Sequence, residues 1–459
     1  MTAAAKRSIS LTGLFASFVF LQFTILNLAN HAGEGYLPME QREQVYYIVQ
    51  VFVILGFFPH AAARRLFEKN CVLKGVTAAV LAVFLAGGTV LFLSEGSRLQ
   101  MIVTYATVFC LGFLGGVVFL RMSQATAAGM DTAWSLGLGS AAAVALQYPL
   151  QLRWGVTPPL PVFMLAAFVL MSRVLLREPA ELRRSGPAET TLPRRIVFAC
   201  LIAAMLVLFA SFYNSYIHHL QVQSGYTDFN VYAWPRLIQI PSYLFFGLIG
   251  DRNQGRLVPV TALCLTLAAL LNAVLAGNAG AYWLNMCLFY LALSGAVSYY
   301  DLTFWRLAPG TRHPALWAPM GRVIDSVLVL LSYGIHLGGL PAPAVLAVDV
   351  AGLALIIVLM AANGDFNFAA PEPVPAPADG EERLARLADR YGLSPAETKV
   401  LREMVLTEDK QSVIAETLSI RVSTVQHHTT AIYRKTGAST RAGLHLLYND
   451  SAQGEETAP

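Results

Sequence analysis

The chain carries few charged residues for its length. Of its 459 residues, 13% are Asp, Glu, Lys or Arg, whereas 56% are hydrophobic. The mean hydropathy of +0.54 exceeds what a soluble globular protein with a charged surface reaches. The composition therefore predicts a membrane protein whose natural environment includes the lipid bilayer.

Cysteine is scarce as well, and the common catalytic motifs are missing. The five cysteines are scattered through apolar stretches, and none lies in a C-x-x-C spacing. This pattern argues against a disulfide framework and against a zinc site. The sequence contains no Walker A loop, no H-E-x-x-H and no G-x-S-x-G. We therefore expect no enzyme activity, no cofactor and no bound metal ion.

Long apolar runs recur until about residue 363 and then stop. Each run has about the length that crosses a bilayer, roughly 20 residues. The connections between the runs are too short to hold a folded domain, which predicts a bundle of transmembrane helices over residues 1–363. We predict twelve spans, at about 10–29, 45–62, 75–94, 100–120, 131–150, 159–176, 196–217, 231–249, 257–276, 281–300, 316–337 and 342–362.

The Lys and Arg residues of the short connections lie mostly on one side of the predicted bundle. If the N-terminus is cytoplasmic, the outside connections contain only Arg42, Arg98 and Arg153. Cytoplasmic connections carry an excess of Lys and Arg, so we expect both the N- and the C-terminus to be cytoplasmic. The longest inside connection, residues 177–195, divides the spans into six plus six, which suggests two related halves.

The sequence after the eighth span carries a recognisable motif. GLIGDRNQGR, at residues 247–256, resembles the G-x-x-x-D-R-x-G-R loop of major facilitator superfamily transporters. The corresponding segment after the second span, GFFPHAAARR at 56–65, has His60 where that family has its aspartate. The resemblance implies a scaffold with an incomplete cytoplasmic latch. The alternative is a glycine-rich turn with arginines on the cytoplasmic side.

Ionisable residues inside the predicted spans are candidates for a ligand site, because charge is costly in hydrocarbon. Arg236 lies in the eighth span, and Arg322 and Asp325 lie three residues apart on one face of the eleventh. Asp325 is expected near the middle of the membrane as part of a pocket wall. Alternatively, Arg322 and Asp325 neutralise each other and only hold the bundle together.

Uncharged polar and aromatic residues accompany these charges in the outer halves of the spans. We expect them to line an outward pocket for a small aromatic or amphiphilic ligand. An aromatic belt with hydrogen bonds between helices explains them without a ligand. The candidate ligand-binding residues are Asn27, Asn30, Gln50, Asn214, Trp234, Arg236, Gln239, Trp283, Arg322 and Asp325.

The composition changes completely after the last span. Residues 364–382 include PEPVPAPADGEE, a proline-rich segment typical of an extended linker. Residues 383–450 have the pattern of a small soluble helical domain with a net positive charge, and residues 451–459 are predicted to be disordered. The 419–448 segment contains no acidic residue.

Four helices are predicted within this domain. Ser394 as N-cap, Pro395 at the first position and Glu397 in a capping box start a helix that ends near Leu406. A short second helix carries Val413, Ile414 and Leu418. The third is predicted to be capped by Ser423 and to end at Gly437, with Val425, Ile432 and Thr436 on its apolar side. Ser439 and Thr440 open the fourth, which carries Leu444 and Leu447.

The second and third helices, joined by about four residues, have the form of a helix-turn-helix. LSPAETKVL at 393–401, IAETLSI at 414–420 and TVQHHTTAIYRKTG at 424–437 resemble the LuxR-type helix-turn-helix. A small helical bundle that binds a protein is the alternative. The resemblance implies binding to double-stranded promoter DNA, with a homodimer contact through the fourth helix.

Seven residues are candidates for DNA contacts by this resemblance. Gln426, His427 and Thr430 are expected to face base edges, because glutamine can pair with adenine through two hydrogen bonds. The remaining four, which are expected to hold phosphates, are Thr424, Tyr433, Arg434 and Lys435.

Together these features predict an all-α protein in which a twelve-span, major facilitator-like bundle precedes a LuxR-type domain. Its predicted function is that of a membrane-bound transcription regulator that senses an unidentified small molecule and binds DNA. The chain resembles bacterial regulators of this layout, which implies the bacterial cytoplasmic membrane as its location. The alternative is a secondary transporter with a regulatory DNA-binding tail.

Overall fold

A computed structural model gives the fold of the chain. It describes residues 3–31, 39–66, 70–93, 98–153, 155–177, 192–224, 234–275, 282–334, 340–364, 380–406, 411–418, 420–438 and 440–450. The chain divides into two compact units, Met1–Asn367 and Phe368–Pro459, here called the bundle and the tail. Most of the predicted linker and the predicted disordered segment, 451–459, lie outside the described residues.

The described part of the bundle is helical throughout. Apolar sequences in a bilayer form helices because every backbone N–H and C=O must then bond within the segment. Each predicted span overlaps at least one helix, and α11 is a single turn at the start of the eleventh. The helices are α1 Ala3–His31, α2 Met39–Leu66, α3 Asn70–Leu93, α4 Arg98–Ala127, α5 Thr132–Gln147, α6 Leu160–Arg177, α7 Leu192–Ser224, α8 Gln239–Gly250, α9 Leu257–Leu275, α10 Tyr282–Leu307, α11 Pro314–Trp317, α12 Met320–Gly334 and α13 Ala342–Asn363.

Seven of these helices are long and apolar enough to cross a membrane. They contain the segments Lys6–Ala29, Cys71–Leu93, Gln100–Ala127, Leu160–Arg177, Pro193–Ile217, Leu257–Leu275 and Ala342–Asn363. Helices α5, α8 and α12 have 16, 12 and 15 residues and are shorter than such a segment. The chain is therefore a multi-pass membrane protein, whereas the count of twelve spans stays a prediction.

Two helices of the bundle change their geometry along their length. Helix α5 continues into a π-helical turn, Tyr148–Arg153, which contains Pro149. A 3-10 turn, Trp234–Ile238, precedes α8 and contains Pro235. Proline lacks the N–H that a regular α-helix requires, so both irregular turns have a local cause.

The two halves of the bundle, six predicted spans each, meet through two pairs of helices. Helix α5 packs against α8, and α2 packs against α12. Counting predicted spans, the first pair joins the fifth to the eighth and the second joins the eleventh to the second. A shift of six spans thus converts one pair into the other, as expected for two related halves.

Glycine lets α5 and α8 approach closely. A side chain at Gly137 would collide with the backbone carbonyl of Tyr243 and would lie 2.8 Å from the Cα of Gly247. Hydrogen is the only substituent that fits between these two backbones. This contact holds the first turn of α5 beside the loop that follows α8.

The tail contains five helices in its described residues, one more than predicted. The additional helix, α14 Gly380–Tyr391, begins before the predicted domain start at 383. The others are α15 Pro395–Leu406, α16 Gln411–Thr417, α17 Val422–Thr436 and α18 Arg441–Asp450. Leu384 and Leu387 of α14 belong to the hydrophobic core of the tail. The apolar i, i+3 spacing of these leucines was the signal that could have placed α14.

The ends of the tail helices follow local chemistry. The Ser394 N–H donates to the Glu397 carboxylate at 2.6 Å, and the Glu397 N–H donates to Ser394 Oγ at 3.3 Å, so the predicted capping box is present. Gly437 ends α17 with a φ of +70°, as predicted. The predicted cap at Ser423 is wrong, because α17 begins at Val422 and Arg421 is its N-cap. The predicted opening residue Ser439 lies outside the described residues.

Candidate functional site

One end of the bundle, which is predicted to be the cytoplasmic end, is held by the aspartate of the motif after α8. The backbone N–H groups of Ala133 and Trp134 donate to the two carboxylate oxygens of Asp251 at 2.9 and 2.6 Å. Both N–H groups belong to the first turn of α5, where the helix leaves N–H groups unpaired and its dipole attracts negative charge. Asp251 therefore ties the C-terminal half of the bundle to the N-terminal half.

The same loop is anchored a second time by Arg306 of α10. Its guanidinium donates to the backbone carbonyl of Gly250 at 2.6 Å. Gly255 has a φ of +70°, and a side chain there would collide with the Arg306 guanidinium. The glycine is thus required by both its backbone conformation and the arginine packed against it.

The equivalent position after the second span has different chemistry. His60 is buried in α2, and its ring meets the Phe113 ring edge-on with 5.4 Å between centroids. A side chain at Gly116 of α4 would lie 3.1 Å from the His60 ring. Position 60 therefore packs against α4, within its own half of the bundle, whereas Asp251 reaches the other half.

The charged residues of α12 pair with α10. Arg322 forms an ion pair of 2.8 Å with Asp301, whose side chain is 1% exposed. The ion pair of Arg322 is thus formed with Asp301, and not with Asp325 as the alternative interpretation had it. Asp301 was missed because the tenth span was predicted to end at residue 300, whereas α10 continues to Leu307. Its acidic type directly after an apolar run was the available signal.

Aromatic side chains fill the bundle beside this ion pair. The Trp305 ring packs against Phe15 and Phe119, with 5.3 and 5.8 Å between ring centroids. The Ser123 hydroxyl donates to the backbone carbonyl of Trp305 at 2.9 Å. These contacts join α1 and α4 of the first half to α10 of the second. Together with Asp251 they hold the two halves against each other at the predicted cytoplasmic side.

The polar residues predicted to line an outward pocket do not all meet. Trp234 and Trp283 contact each other, with 5.9 Å between ring centroids, although Trp234 is 51% exposed. The Arg236 guanidinium lies 5.0 Å from the centre of the Phe23 ring of α1. The structure buries Asn27, Gln50 and Gln239 and half-buries Asn214, while the side chain of Asn30 lies outside the described part.

A buried tyrosine that the sequence did not single out connects several of the charges. Tyr243 of α8 interacts electrostatically with Arg322, Asp301, Arg236 and Asp325. No motif marks this residue in the sequence. Its place follows from α8 packing against both α5 and α10, which only the folded structure establishes.

The tail presents the predicted recognition residues on one side of α17. Val425, Thr429, Ile432 and Thr436 are buried against the core of the tail. On the opposite side, the Gln426, His427, Thr430 and Arg434 side chains are exposed. Together with Ser423 and Ala431 these four residues line one shallow, open depression. Thr424 and Tyr433 are half-buried at the edges of this face.

Lys435 has a different environment from the other six candidates. Its ammonium group donates to Glu397 Oε2 at 2.7 Å and to the backbone carbonyl of Gly392 at 3.0 Å. The hydrogen bond from Lys435, together with that from the Ser394 N–H, lowers the pKa of Glu397 to about 2. Lys435 therefore joins the end of α17 to the start of α15, and its predicted phosphate contact competes with this ion pair.

The predicted homodimer contact on the last helix is also partly occupied. Leu444 of α18 is fully buried in the core of the tail, and Leu447 packs against that core. Helix α18 contacts α14 and α15. Leu444 cannot serve as a dimer contact without unpacking the tail, so any contact through this helix needs another of its faces.

The fold of the chain is similar to a solved transporter structure, the crystal structure of the human organic anion transporter MFSD10 (TETRAN), with 16% sequence identity and a TM-score of 0.52. The match covers 78% of this chain and 100% of that chain. The bundle has a major facilitator-like fold. The matched share is close to the share of the chain that the bundle makes up. No protein-family model and no curated protein matches the chain.

Proposed function

We propose that the chain is a membrane-bound transcription regulator whose tail binds promoter DNA and whose transporter-like bundle senses a small molecule. The observation that carries the proposal is the exposed polar face of α17, formed by Gln426, His427, Thr430 and Arg434. An α-helix fits the major groove, where glutamine and arginine pair with base edges. The face has no apolar patch of the kind that a protein partner usually covers.

The charge of the tail supports a polyanionic partner. Arg421 and Arg434 are exposed at the two ends of α17, and no acidic residue occurs between positions 419 and 448. Cationic side chains near the two ends of a recognition helix can hold phosphates on either side of a groove. Glu397 of α15 lies beside the end of α17, and Lys435 neutralises it.

DNA binding by the full chain in lipid nanodiscs tests this proposal. We expect the chain to bind its own promoter region more tightly than scrambled DNA of the same length, and we expect a chain truncated at Asn367 to bind neither. Specific binding is typically at least 1,000-fold tighter than nonspecific binding. Equal affinity for both DNAs, or no binding, would remove the regulator proposal.

A second candidate function is secondary transport, with the tail as a regulatory domain. The fold similarity to an organic anion transporter supports this candidate more directly than it supports regulation. The inter-half contacts at Asp251 and Trp305 are also of the kind that an alternating bundle must break and remake. Accumulation of a compound in proteoliposomes that hold the chain, absent from empty liposomes, would favour transport.

A further inference from the structure

A histidine lies in the middle of the exposed depression on α17. The residues that line this depression include one imidazole, that of His427, and one permanent cation, Arg434. They are seven positions apart, which places them on the same side of the helix, about 10 Å apart along its axis. Histidine is the side chain whose charge ordinarily changes between pH 5 and 8. The charge of this surface can therefore vary with pH.

The adjacent histidine occupies a different position. The rings of His427 and His428 contact each other edge-on, with 5.9 Å between centroids. His427 is exposed, whereas His428 is half-buried and does not line the depression. The two residues thus provide a matched pair on one helix, with one imidazole in the depression and the other beside it.

The helices that pack against α17 bring no charge into the depression. Helices α15 and α16 contact α17, whose side towards the core of the tail carries its buried residues. Their described charged residues, none of which lines the depression, are Glu397, Lys399, Arg402, Glu403 and Glu416. Within the described tail, a positive charge on His427 therefore has no acidic partner in the depression.

Bound DNA would change the surroundings of this ring. The major groove presents guanine N7 and O6 as hydrogen-bond acceptors, and phosphates border it on both sides. A neutral imidazole has one N–H donor, whereas an imidazolium has two and carries a positive charge. The charged ring therefore gains both a second hydrogen bond and an attraction to phosphates that the neutral ring lacks. DNA supplies the negative partner that the depression itself does not contain.

We propose that His427 binds DNA as an imidazolium, so that promoter binding takes up a proton. The inference rests on the proposed function and adds a second input to the regulator, because a fall in pH at the tail then strengthens promoter binding. The proton comes from solvent, leaves both ring nitrogens of His427 protonated in the complex, and returns to solvent on dissociation. Because such linkage is reciprocal, the proton and DNA strengthen each other's binding by the same factor.

Calorimetry counts the protons. Promoter DNA is titrated into the full chain in nanodiscs near neutral pH, in two buffers of different ionisation enthalpy, and the difference in heat gives the proton uptake. Promoter affinity is then followed across the range in which histidine titrates, at constant ionic strength because phosphate contacts depend on salt. We expect uptake of a proton by the parent chain and an affinity about fivefold to tenfold higher at the acidic end. Hydrogen bonds to charged groups exceed those between neutral groups by about this factor.

Three variants assign the proton to one ring. His427→Gln can form hydrogen bonds but takes up no proton, so it should bind promoter DNA weakly at every pH. His427→Lys is charged throughout the range and should bind tightly at every pH. His428→Gln is the matched control and should keep both the proton uptake and the pH dependence of the parent chain. Melting temperatures of the three variants show that they fold.

Two results overturn the proposal: promoter binding by the parent chain without proton uptake, or uptake that persists in His427→Gln. A loss of uptake in His428→Gln as large as in His427→Gln overturns the assignment to the depression. Promoter binding that does not change with pH overturns only the charged form of His427. The absence of promoter binding at every pH overturns the regulator as well.

Discussion

The charged side chains that form the contacts of the bundle described above face inward, whereas those on the predicted recognition face of the tail face outward. In the bundle, Asp251 bonds two backbone N–H groups and Asp301 binds Arg322, so these charges join helices to one another. In the tail, the Arg434 side chain and its polar neighbours Gln426, His427 and Thr430 on α17 are exposed. Inward charges stabilise the fold or hold a small ligand, whereas outward charges are available to a large polar partner.

Lys435 is an exception within the tail, as is Arg441, whose side chain donates to the backbone carbonyl of Met404 at 2.8 Å. Lys435 belongs to the same basic segment as Arg434 and yet forms an ion pair with Glu397, with its side chain 33% exposed. Arg434 and Lys435 are adjacent cationic residues of one helix and thus have different environments. The comparison of inward and outward charges can therefore be tested within the tail as well as between the two units.

The largest expected effect is the loss of one partner of the buried ion pair. Arg322→Met should lower the free energy of unfolding by about 3 to 5 kcal/mol, because it leaves Asp301 charged and buried. Thermal unfolding of the full chain in detergent measures the effect. The double variant Arg322→Met, Asp301→Asn should recover much of the loss, because neither charge then remains. A double variant as unstable as the single one would show that the pair is not what stabilises this contact.

The next largest effect is expected from the hydrogen bonds by which Asp251 joins the two halves of the bundle. Asp251→Asn should cost about 1 to 3 kcal/mol, because an amide offers one acceptor oxygen and leaves the second α5 N–H group unpaired. Hydrogen exchange should become faster at Ala133 or Trp134. Asp131→Asn is the matched control, since Asp131 precedes the same helix and makes no capping hydrogen bond through its side chain. Equal effects of both variants would contradict the assigned role of Asp251.

Much of the fold could be predicted from local patterns in the sequence. Apolar runs placed the helices of the bundle, and Ser394 with Glu397 placed the start of α15, because a capping box depends on residues three apart. The motif at 247–256, which contains Asp251, could be recognised in the sequence, but the partners of Asp251 on α5 could not. They depend on which helices meet, and that is decided by packing between residues more than one hundred positions apart.

In the candidate site, too, local sequence patterns predicted some features, whereas contacts between distant residues decided others. The exposed and buried faces of α17 follow from helical periodicity, so Gln426 and Val425 were assigned correctly to opposite faces. The pairing of Lys435 with Glu397, 38 residues apart, has no local signal. Asp301 was missed in the sequence for a simpler reason. Helix α10 continues beyond the apolar run from which the end of the tenth span was predicted.

A smaller effect is expected in DNA binding, where two exposed residues of α17 should have different roles. Gln426→Ala should reduce discrimination at one base pair by about 1 to 3 kcal/mol. Arg434→Ala should weaken binding to all sequences and reduce the salt dependence by about one unit of slope, because a phosphate contact releases one counterion. Titrations of the full chain on promoter and scrambled DNA at several salt concentrations measure both. A sequence-specific loss for Arg434→Ala would exchange the two roles.

The smallest expected effect is the pH dependence of the Glu397–Lys435 pair. The folded tail lowers the pKa of Glu397 to about 2, below its ordinary value of about 4.3. A lowered pKa of an acid adds stability that is fully present above the ordinary pKa and is lost as the pH falls towards 2. Since the pair is partly exposed, we expect less than about 1 kcal/mol. Hydrogen exchange of α15 and α17 should show a loss of protection between about pH 4.5 and 2 that Glu397→Gln lacks. If the parent chain and the variant lose protection equally over this range, Lys435 is free to bind phosphate and the inward assignment of its charge is wrong.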